Sequence, residues 1–218
     1  MSQFDPHEFL HRTYYSLDFQ ILAGDLVDFL ETAERGLDIR YHENRARIET
    51  SSSDVDVPGY REHLLENLEH RFKISLPLRV RYGALIGFTT AVEWAAVTLN
   101  SALKDPIEPP TKRTKDIVRI LSRLDEKIGL GCEKVIGNFT VLTHVRNCIA
   151  HAAGLIQDYE FGEELEKEIV RLNGILVGRW HVLGKHICIQ RGALNPYFKS
   201  IGEFVVDLNR NCHEQGLI

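Results

Sequence analysis

The sequence predicts a mainly α-helical protein with a small β-hairpin near its C-terminus. Apolar residues recur at helical spacing over most of the 218 residues. Stretches rich in serine, proline or glycine separate the helical segments, and one short β-like run, residues 186–190, lies late in the chain. The chain is 44% hydrophobic and 26% charged. This composition is typical of one packed domain, alone or with an appended helical arm.

The first helix is predicted to begin at Asp5 and Pro6, because an acidic N-cap followed by proline is a common helix start. Apolar residues follow it at helical spacing: Phe9, Leu10, Tyr14, Leu17, Ile21, Leu22, Val27 and Leu30. Consecutive serines then predict a loop near residues 50–58. We therefore divide the chain into an N-terminal helical arm, residues 1–50, and a helical domain, residues 58–218. The arm is expected either to pack on the domain or to serve in dimerisation.

The middle of the chain contains a charged helix followed by a long apolar one. Residues 59–73 are predicted to form an amphipathic helix that stops near Pro77. Residues 78–103 form the long helix, and the proline-rich stretch 104–110 cannot continue it.

Residues 82–103 are long enough to span a bilayer, and Glu93 is their only charge. Threonine, asparagine and serine side chains dilute their apolar character, and a central acid opposes insertion by roughly 2.5–3.5 kcal/mol. We interpret the segment as a buried core helix, with no membrane partner. A buried carboxylate needs a partner, and Arg146 from another core helix is one. The alternative is that Glu93 lies unpaired on the exposed edge of its helix.

The next predicted helix, residues 112–128, has an apolar face and a basic face. Ile117, Leu121, Leu124 and Ile128 form the apolar face. Lys115, Arg119, Arg123 and Lys127, each four residues apart, form the basic stripe. Two interpretations are open: a solvated face balanced by nearby acids, or a surface that binds an RNA backbone.

The last third of the chain contains a helix, a hairpin and a closing helix. The helix runs from 132 to about 153, with Gly154 at the expected C-terminal cap. Short β-like runs in residues 178–190 predict the hairpin, and residues 201–212 form the final helix.

Charge and cysteines exclude several classes of protein. The net charge is −5, which argues against a generic nucleic-acid binder. Residues 111–151 nevertheless have eight Lys and Arg against four Asp and Glu. The four cysteines lack the paired short spacing of a zinc site or a disulfide framework, so we expect reduced thiols in a cytoplasm. The acidic N-terminus does not resemble a secretory signal peptide.

The segment 143–154, Thr-His-Val-Arg-Asn-Cys-Ile-Ala-His-Ala-Ala-Gly, resembles the defining motif of the HEPN family. That motif is an Arg, usually followed by a polar residue, and a His after a gap of four to six residues near the end of a core helix. Here Arg146, Asn147 and His151 occupy these positions, with a gap of four. The order of elements agrees over roughly residues 60–218, although only the short motif is specific. The resemblance implies a HEPN-like antiparallel helical bundle.

The resemblance also implies an endoribonuclease that needs no metal or cofactor. In that chemistry the ribose 2′-hydroxyl attacks the adjacent phosphate and leaves a 2′,3′-cyclic phosphate. His151 suits proton transfer near neutral pH. Arg146 suits the binding of phosphate oxygens, and Asn147 is the polar residue of the motif. Glu93 joins the candidate catalytic set on physical grounds alone, as a buried carboxylate that needs a partner. Catalytic members of the family are often prokaryotic toxins or phage-defence effectors, which implies RNA as substrate and an antitoxin or defence-system protein as partner.

A second hypothesis is a non-catalytic HEPN helical dimer that binds RNA or a partner protein. The intact Arg, Asn and His favour the enzyme. In one subgroup, a tyrosine two residues after the motif His receives a nucleotide; position 153 is alanine, so the chain departs from that subgroup. Without the resemblance, Arg146 at a core edge and His151 at a helix C-terminus also have a purely structural interpretation.

Helical geometry constrains how the motif residues act. At about 100° per residue, Asn147 and His151 lie about 40° apart on the helix surface, whereas Arg146 and His151 lie about 140° apart. Either the helix distorts near its end, or a second subunit completes the site. HEPN ribonucleases are typically dimers with two motifs facing one groove, so we expect a homodimer.

His144, seven residues before His151, is interpreted as a surface histidine with an alternative role at that groove. The pairs His7/His11 and His63/His70 lack a third ligand, so no metal site is expected.

Overall fold

The computed structural model describes residues 6–51, 58–108, 115–180 and 184–218, with side chains for 18–51, 58–108, 117–179 and 184–218. Several sequence-based expectations lie outside these ranges. They are the Asp5 cap, the side chains of His7 and His11, most of the loop at 50–58, residues 112–114 of the fourth helix and the side chain of Lys115.

The structure confirms a mainly α-helical fold with a small β-hairpin near the C-terminus. The first half contains α1 (Pro6–Ser51), α2 (Tyr60–Glu69) and α3 (Leu76–Ala102). The second half contains α4 (Lys115–Ile128), α5 (Glu133–Ala152), α6 (Gly162–Glu168), β1 (Ile175–Trp180), β2 (Gly184–Ile189) and α7 (Asn195–Glu214). The two strands pair antiparallel, with Ile175 opposite Ile189 and Gly178 opposite His186.

The expectation that a helix stops near Pro77 is wrong. A π-helical segment, His70–Ser75, joins α2 directly to α3, and Pro77 lies in the first turn of α3. The Leu76 N–H donates to the carbonyl of Arg71, five residues back, so the backbone is wider here than in an α-helix. This widened turn accommodates a proline ring that would otherwise contact the carbonyl four residues before it.

Two further boundaries differ from the sequence-based expectation. The hairpin begins at Ile175 rather than near residue 178, and α7 begins at Asn195 rather than at 201, with proline in its first turn. Proline is common at that position because it needs no N–H partner there. The apolar pattern also gave no sign of α6, a seven-residue helix with mostly acidic side chains.

The core forms around α3, in which Ala84, Leu85, Phe88 and Val92 are fully buried. It packs against α1, α4, α5 and α7, and the rings of Phe88 and Phe198 on α7 stack with centroids 4.0 Å apart. The continuous helix Tyr60–Ala102 is the one span in the described residues that is long and apolar enough to cross a membrane, and half of its apolar window is buried inside the protein.

An ionic cluster attaches α1 to the rest of the fold. Arg81 Nε on α3 lies 2.5 Å from Glu34 Oε1 on α1, and Lys73 Nζ lies 2.9 Å from Asp38 Oδ1. Arg191, after the hairpin, contacts both acids at 3.2 and 2.8 Å. Lys73 precedes Arg81 in the sequence, whereas its partner Asp38 follows Glu34. The helices α1 and α3 therefore run antiparallel. Of the two expectations for the N-terminal helix, packing on the domain is the one seen in the single chain.

Candidate active site

The α5 helix carries the motif and packs one apolar face into the core. Phe139, Leu142, Val145 and Ile149 point into the core and are at most 7% exposed. Cys148 is also buried, and burial raises the pKa of its thiol to about 11. Burial of this apolar face fixes the rotation of α5 about its axis. The direction of every other side chain on α5, including those of the motif, is thereby fixed as well.

Arg146 forms an ion pair with Glu93 of α3 through its Nη2 atom. The side chains are 17% and 24% exposed, so the pair lies at the edge of the core. Of the two interpretations of Glu93, pairing with Arg146 is the one that the structure shows. Within the described residues the Arg146 Nε is buried and has no hydrogen-bond partner.

Asn147, half-buried, turns toward the segment that follows α5. Its side chain hydrogen-bonds the hydroxyl of Tyr159, and this contact opposes a rise in the pKa of that hydroxyl. Burial is the largest cause of that rise, and the positive charge of Arg146 also opposes it. Tyr159 therefore stays a neutral hydroxyl beside the motif at physiological pH.

His151 is exposed in the last turn of α5, and among the described residues it has no hydrogen-bond or ion-pair partner. The helix ends directly after it. The cap residue is Ala153, with φ 53°, and the following Gly154 has φ 84°. The expected cap at Gly154 is therefore shared by two left-handed residues. Both of their N–H groups donate to the carbonyl of Cys148, and this shared contact closes the helix end.

The end of α5 is attached to the hairpin and to α3. The Ile187 N–H donates to the Gly154 carbonyl at 2.9 Å, and the Tyr82 hydroxyl donates to the Ile187 carbonyl at 2.5 Å. Arg79, one turn before Tyr82, reaches the Ala153 carbonyl at 3.5 Å. These contacts fix the position of the last turn of α5, which carries His151. The exposed guanidinium of Arg79 thereby lies beside the carbonyl of Ala153, two residues after His151.

His144 lies two turns before His151 on the same helix. Its Nδ1 is 2.6 Å from Glu168 Oε2 at the end of α6, and both side chains are 31% exposed. The sequence indicated no partner for His144, since Glu168 lies 24 residues away in a segment with no predicted structure.

The basic stripe of α4 is only partly free. Arg119 and Lys127 are exposed and have no partner among the described residues, whereas Arg123 pairs with Glu126 at 2.8 Å. Asp125, one of the acids near the stripe, is buried at 4% exposure, where its carboxylate accepts the Cys132 N–H. This contact closes the turn between α4 and α5.

The α6 helix gives the neighbouring surface the opposite charge. It packs against α5 and exposes Glu163 and Glu164, while Glu166 pairs with Lys185 at 2.8 Å. The exposed face of α6 is therefore mainly acidic.

The structure brings Glu93 and Arg146 together, whereas Asn147 turns to Tyr159 and His151 lies exposed on another face of α5. The helix remains α-helical to Ala152, so no distortion before His151 turns the two motif residues toward each other. Sequence reasoning missed Arg79, Tyr159 and Glu168, because each approaches the motif from a segment whose position depends on the tertiary fold.

No family model, no curated protein and no solved structure matches this chain. Within the part of the chain that the structure describes, no three His, Cys, Asp or Glu side chains are grouped closely enough to hold a metal ion.

Proposed function

We propose that the protein is a metal-independent endoribonuclease of the HEPN type that works as a homodimer. The observation that carries the proposal is the arrangement on α5. Arg146 is held by Glu93 at the edge of the core, Asn147 follows it, and His151 is exposed and unpartnered at a capped helix end. An oriented cation and a free imidazole near solvent are the groups that phosphodiester cleavage by an internal hydroxyl requires.

The contact with Glu93 supports the proposal because it orients the guanidinium of Arg146. A guanidinium presents five N–H donors, and the described contact to Glu93 engages Nη2. A fixed guanidinium loses less freedom on binding phosphate than a mobile one. The buried Nε without a partner is the kind of unmet donor that is found where a polar ligand binds or where side chains rearrange.

The dimer follows from the angle between the motif residues. Since α5 does not distort, one chain directs Arg146 toward α3 and His151 toward solvent. A twofold partner supplies a second copy of each residue across a shared groove. Subunits with Arg146→Ala mixed with subunits with His151→Ala then regain activity, because the mixed dimer assembles one intact composite site. A monomer with full specific activity at the assay concentration contradicts the dimer.

RNA is proposed to approach along α4 rather than α6. The α4 helix packs against α5, and a short turn joins the end of α4 to the start of α5. Lys115 and Lys127 are about 18 Å apart along α4, at about 1.5 Å per residue. The exposed side chains of Arg119 and Lys127 occupy this path, which suits a backbone of regularly spaced phosphates.

The direct experiment is cleavage of labelled RNA by the purified protein in excess EDTA. The expected product ends in a 2′,3′-cyclic phosphate, and an oligomer with deoxyribose at the cleaved position stays intact because it lacks the attacking hydroxyl. Cleavage that EDTA abolishes, or cleavage of the deoxyribose oligomer, contradicts the proposed reaction.

A second candidate is a non-catalytic helical dimer that binds RNA or a partner protein. The observation that favours it is that Arg146 already has a carboxylate partner in the single chain. Under this alternative, RNA binds with the expected salt dependence but is recovered intact after prolonged incubation.

For the cellular role we propose a cytoplasmic toxin or phage-defence effector, controlled by an antitoxin or another defence protein. Expression of the wild-type chain is then expected to arrest growth, while His151→Ala is tolerated at the same protein level. Equal growth of both strains contradicts this role without affecting the proposed chemistry.

A further inference from the structure

The histidine that precedes the motif has a more defined setting than the motif histidine itself. His144 Nδ1 lies 2.6 Å from Glu168 Oε2, and the two side chains are each 31% exposed. A carboxylate accepts but does not donate, so the Nδ1 atom carries the proton and donates it to Glu168. The Nε2 atom of the neutral ring is thereby left as a proton acceptor. A carboxylate that orients an imidazole in this way is a recurring arrangement for proton transfer.

His144 also shares a helix face with the other polar motif residues. At about 100° per residue, His144 and His151 are separated by about 20° around α5, and Asn147 lies within about 60° of both. Arg146 is about 160° from His144 by the same rule. One chain therefore has two histidines on one face of one helix, and the motif arginine on another.

The axial spacing of the two histidines fits the reaction. Seven residues of α-helix separate their Cα atoms by about 10.5 Å. In an in-line displacement the attacking and leaving oxygens lie on opposite sides of phosphorus. A base and an acid, each one hydrogen bond of about 2.8 Å beyond its oxygen, are then roughly 8–10 Å apart. The Cα separation of His144 and His151 is comparable with this distance, so two imidazoles on one helix face are suitably spaced to serve the two oxygens of one phosphodiester.

We propose that His144 is the second proton-transfer residue of this site and that Glu168 is its positioning residue. This inference rests on the proposed ribonuclease function and deepens it. One histidine accepts the proton of the 2′-hydroxyl as the bond from that oxygen to phosphorus forms. The other donates a proton to the 5′-oxygen as its bond to phosphorus breaks. The products are a 2′,3′-cyclic phosphate and a 5′-hydroxyl, and exchange with water restores both imidazoles. The partner subunit then needs to supply only Arg146.

The test compares two substrates and two histidine variants, with two further variants on α6. One substrate is an ordinary short RNA, and the other has sulfur in place of the 5′-oxygen at a single linkage. Sulfur leaves as a thiolate and needs no proton, so the loss of the general acid has little effect on this substrate. His144→Asn is the variant of choice, because its amide still donates to Glu168 but does not transfer protons; His151→Asn is the counterpart.

Both variants are expected to slow cleavage of ordinary RNA by on the order of 10²-fold or more, with unchanged affinity for an uncleavable 2′-O-methyl oligomer. On the sulfur substrate one variant recovers to within about tenfold of wild type and identifies the acid, while the other stays slow and identifies the base. Glu168→Leu is expected to lower kcat without changing that affinity. Glu166→Gln, which removes the exposed contact to Lys185 from the same helix, is the matched control and keeps wild-type kcat.

Wild-type cleavage of ordinary RNA by His144→Asn overturns the inference while leaving the ribonuclease intact. Equal defects of both histidine variants on both substrates also overturn it, since neither residue then donates to the leaving oxygen. A wild-type protein that cleaves neither substrate instead refutes the proposed function itself, so the two failures are distinguishable.

Discussion

Arg146 of α5 and Glu93 of α3 form an ion pair at the edge of the core, 53 residues apart in sequence. It joins the helix that presents the motif to the helix around which the core is built. Removing one partner would leave the other as an uncompensated charge in a mostly buried position, which is destabilising. Both side chains are nevertheless exposed enough to contact a ligand.

The first prediction is that Glu93→Gln destabilises the fold by about 1–3 kcal/mol. The value is below that for a fully buried pair because both side chains retain some contact with water. Urea denaturation measures it. The matched control is Glu126→Gln, which removes the exposed contact to Arg123 and is expected to change stability by less than about 1 kcal/mol. Equal effects of the two substitutions contradict the structural role given to Glu93.

The second prediction concerns the helix end beside His151. Gly154 has φ 84°, and a Cβ there would lie 2.4 Å from the Tyr82 hydroxyl oxygen. Gly154→Ala is therefore expected to cost about 1–3 kcal/mol and to slow RNA cleavage by displacing the last turn of α5. Gly137→Ala, within α5 and with no atom within 4 Å of the new Cβ, is expected to stabilise by up to about 1 kcal/mol. Thermal unfolding and cleavage rates of both variants check this, and a harmless Gly154→Ala contradicts it.

The sequence predicted the long helices because their apolar residues repeat with the helical period. It also indicated the contact between Glu93 and Arg146, since a lone acid in an apolar helix needs a partner. It did not reveal the π-helical join at Pro77, because proline ordinarily ends a helix and the compensating turn depends on packing. Glu168 was missed because α6 has a mostly polar sequence that becomes helical against α5, and Tyr159 was missed because it lies in the irregular segment between α5 and α6.

The third prediction separates the two interpretations of the basic stripe. Arg119→Glu with Lys127→Glu is expected to weaken RNA binding and to flatten its dependence on salt, because fewer counterions are released. Arg123→Glu is expected to have a smaller effect, since Arg123 already has an acidic partner. Binding isotherms at several salt concentrations measure the slope. An unchanged affinity and slope in the double variant identify the stripe as a solvated face.

The fourth prediction concerns the ionic cluster on α1. Contacts with Lys73 and Arg191 lower the pKa of Asp38 below its ordinary 3.8. A lowered carboxyl pKa gives stability that is fully present above the ordinary value and is lost as pH falls through the folded value. The stability difference between wild type and Asp38→Asn is therefore expected to be constant near neutral pH and to shrink below pH 3.8. Urea midpoints from pH 7 to pH 3 test this, and a difference that grows on acidification has the wrong sign.

The most direct test of the account is the rate of RNA cleavage in EDTA by the wild type, Arg146→Ala and His151→Ala, with helical content followed by circular dichroism. The wild type is predicted to cleave, and each variant to lose on the order of 10²-fold or more in rate while remaining folded, since each loses a group that acts in the transition state. Cleavage by both folded variants at the wild-type rate contradicts the assignment of the active site to α5.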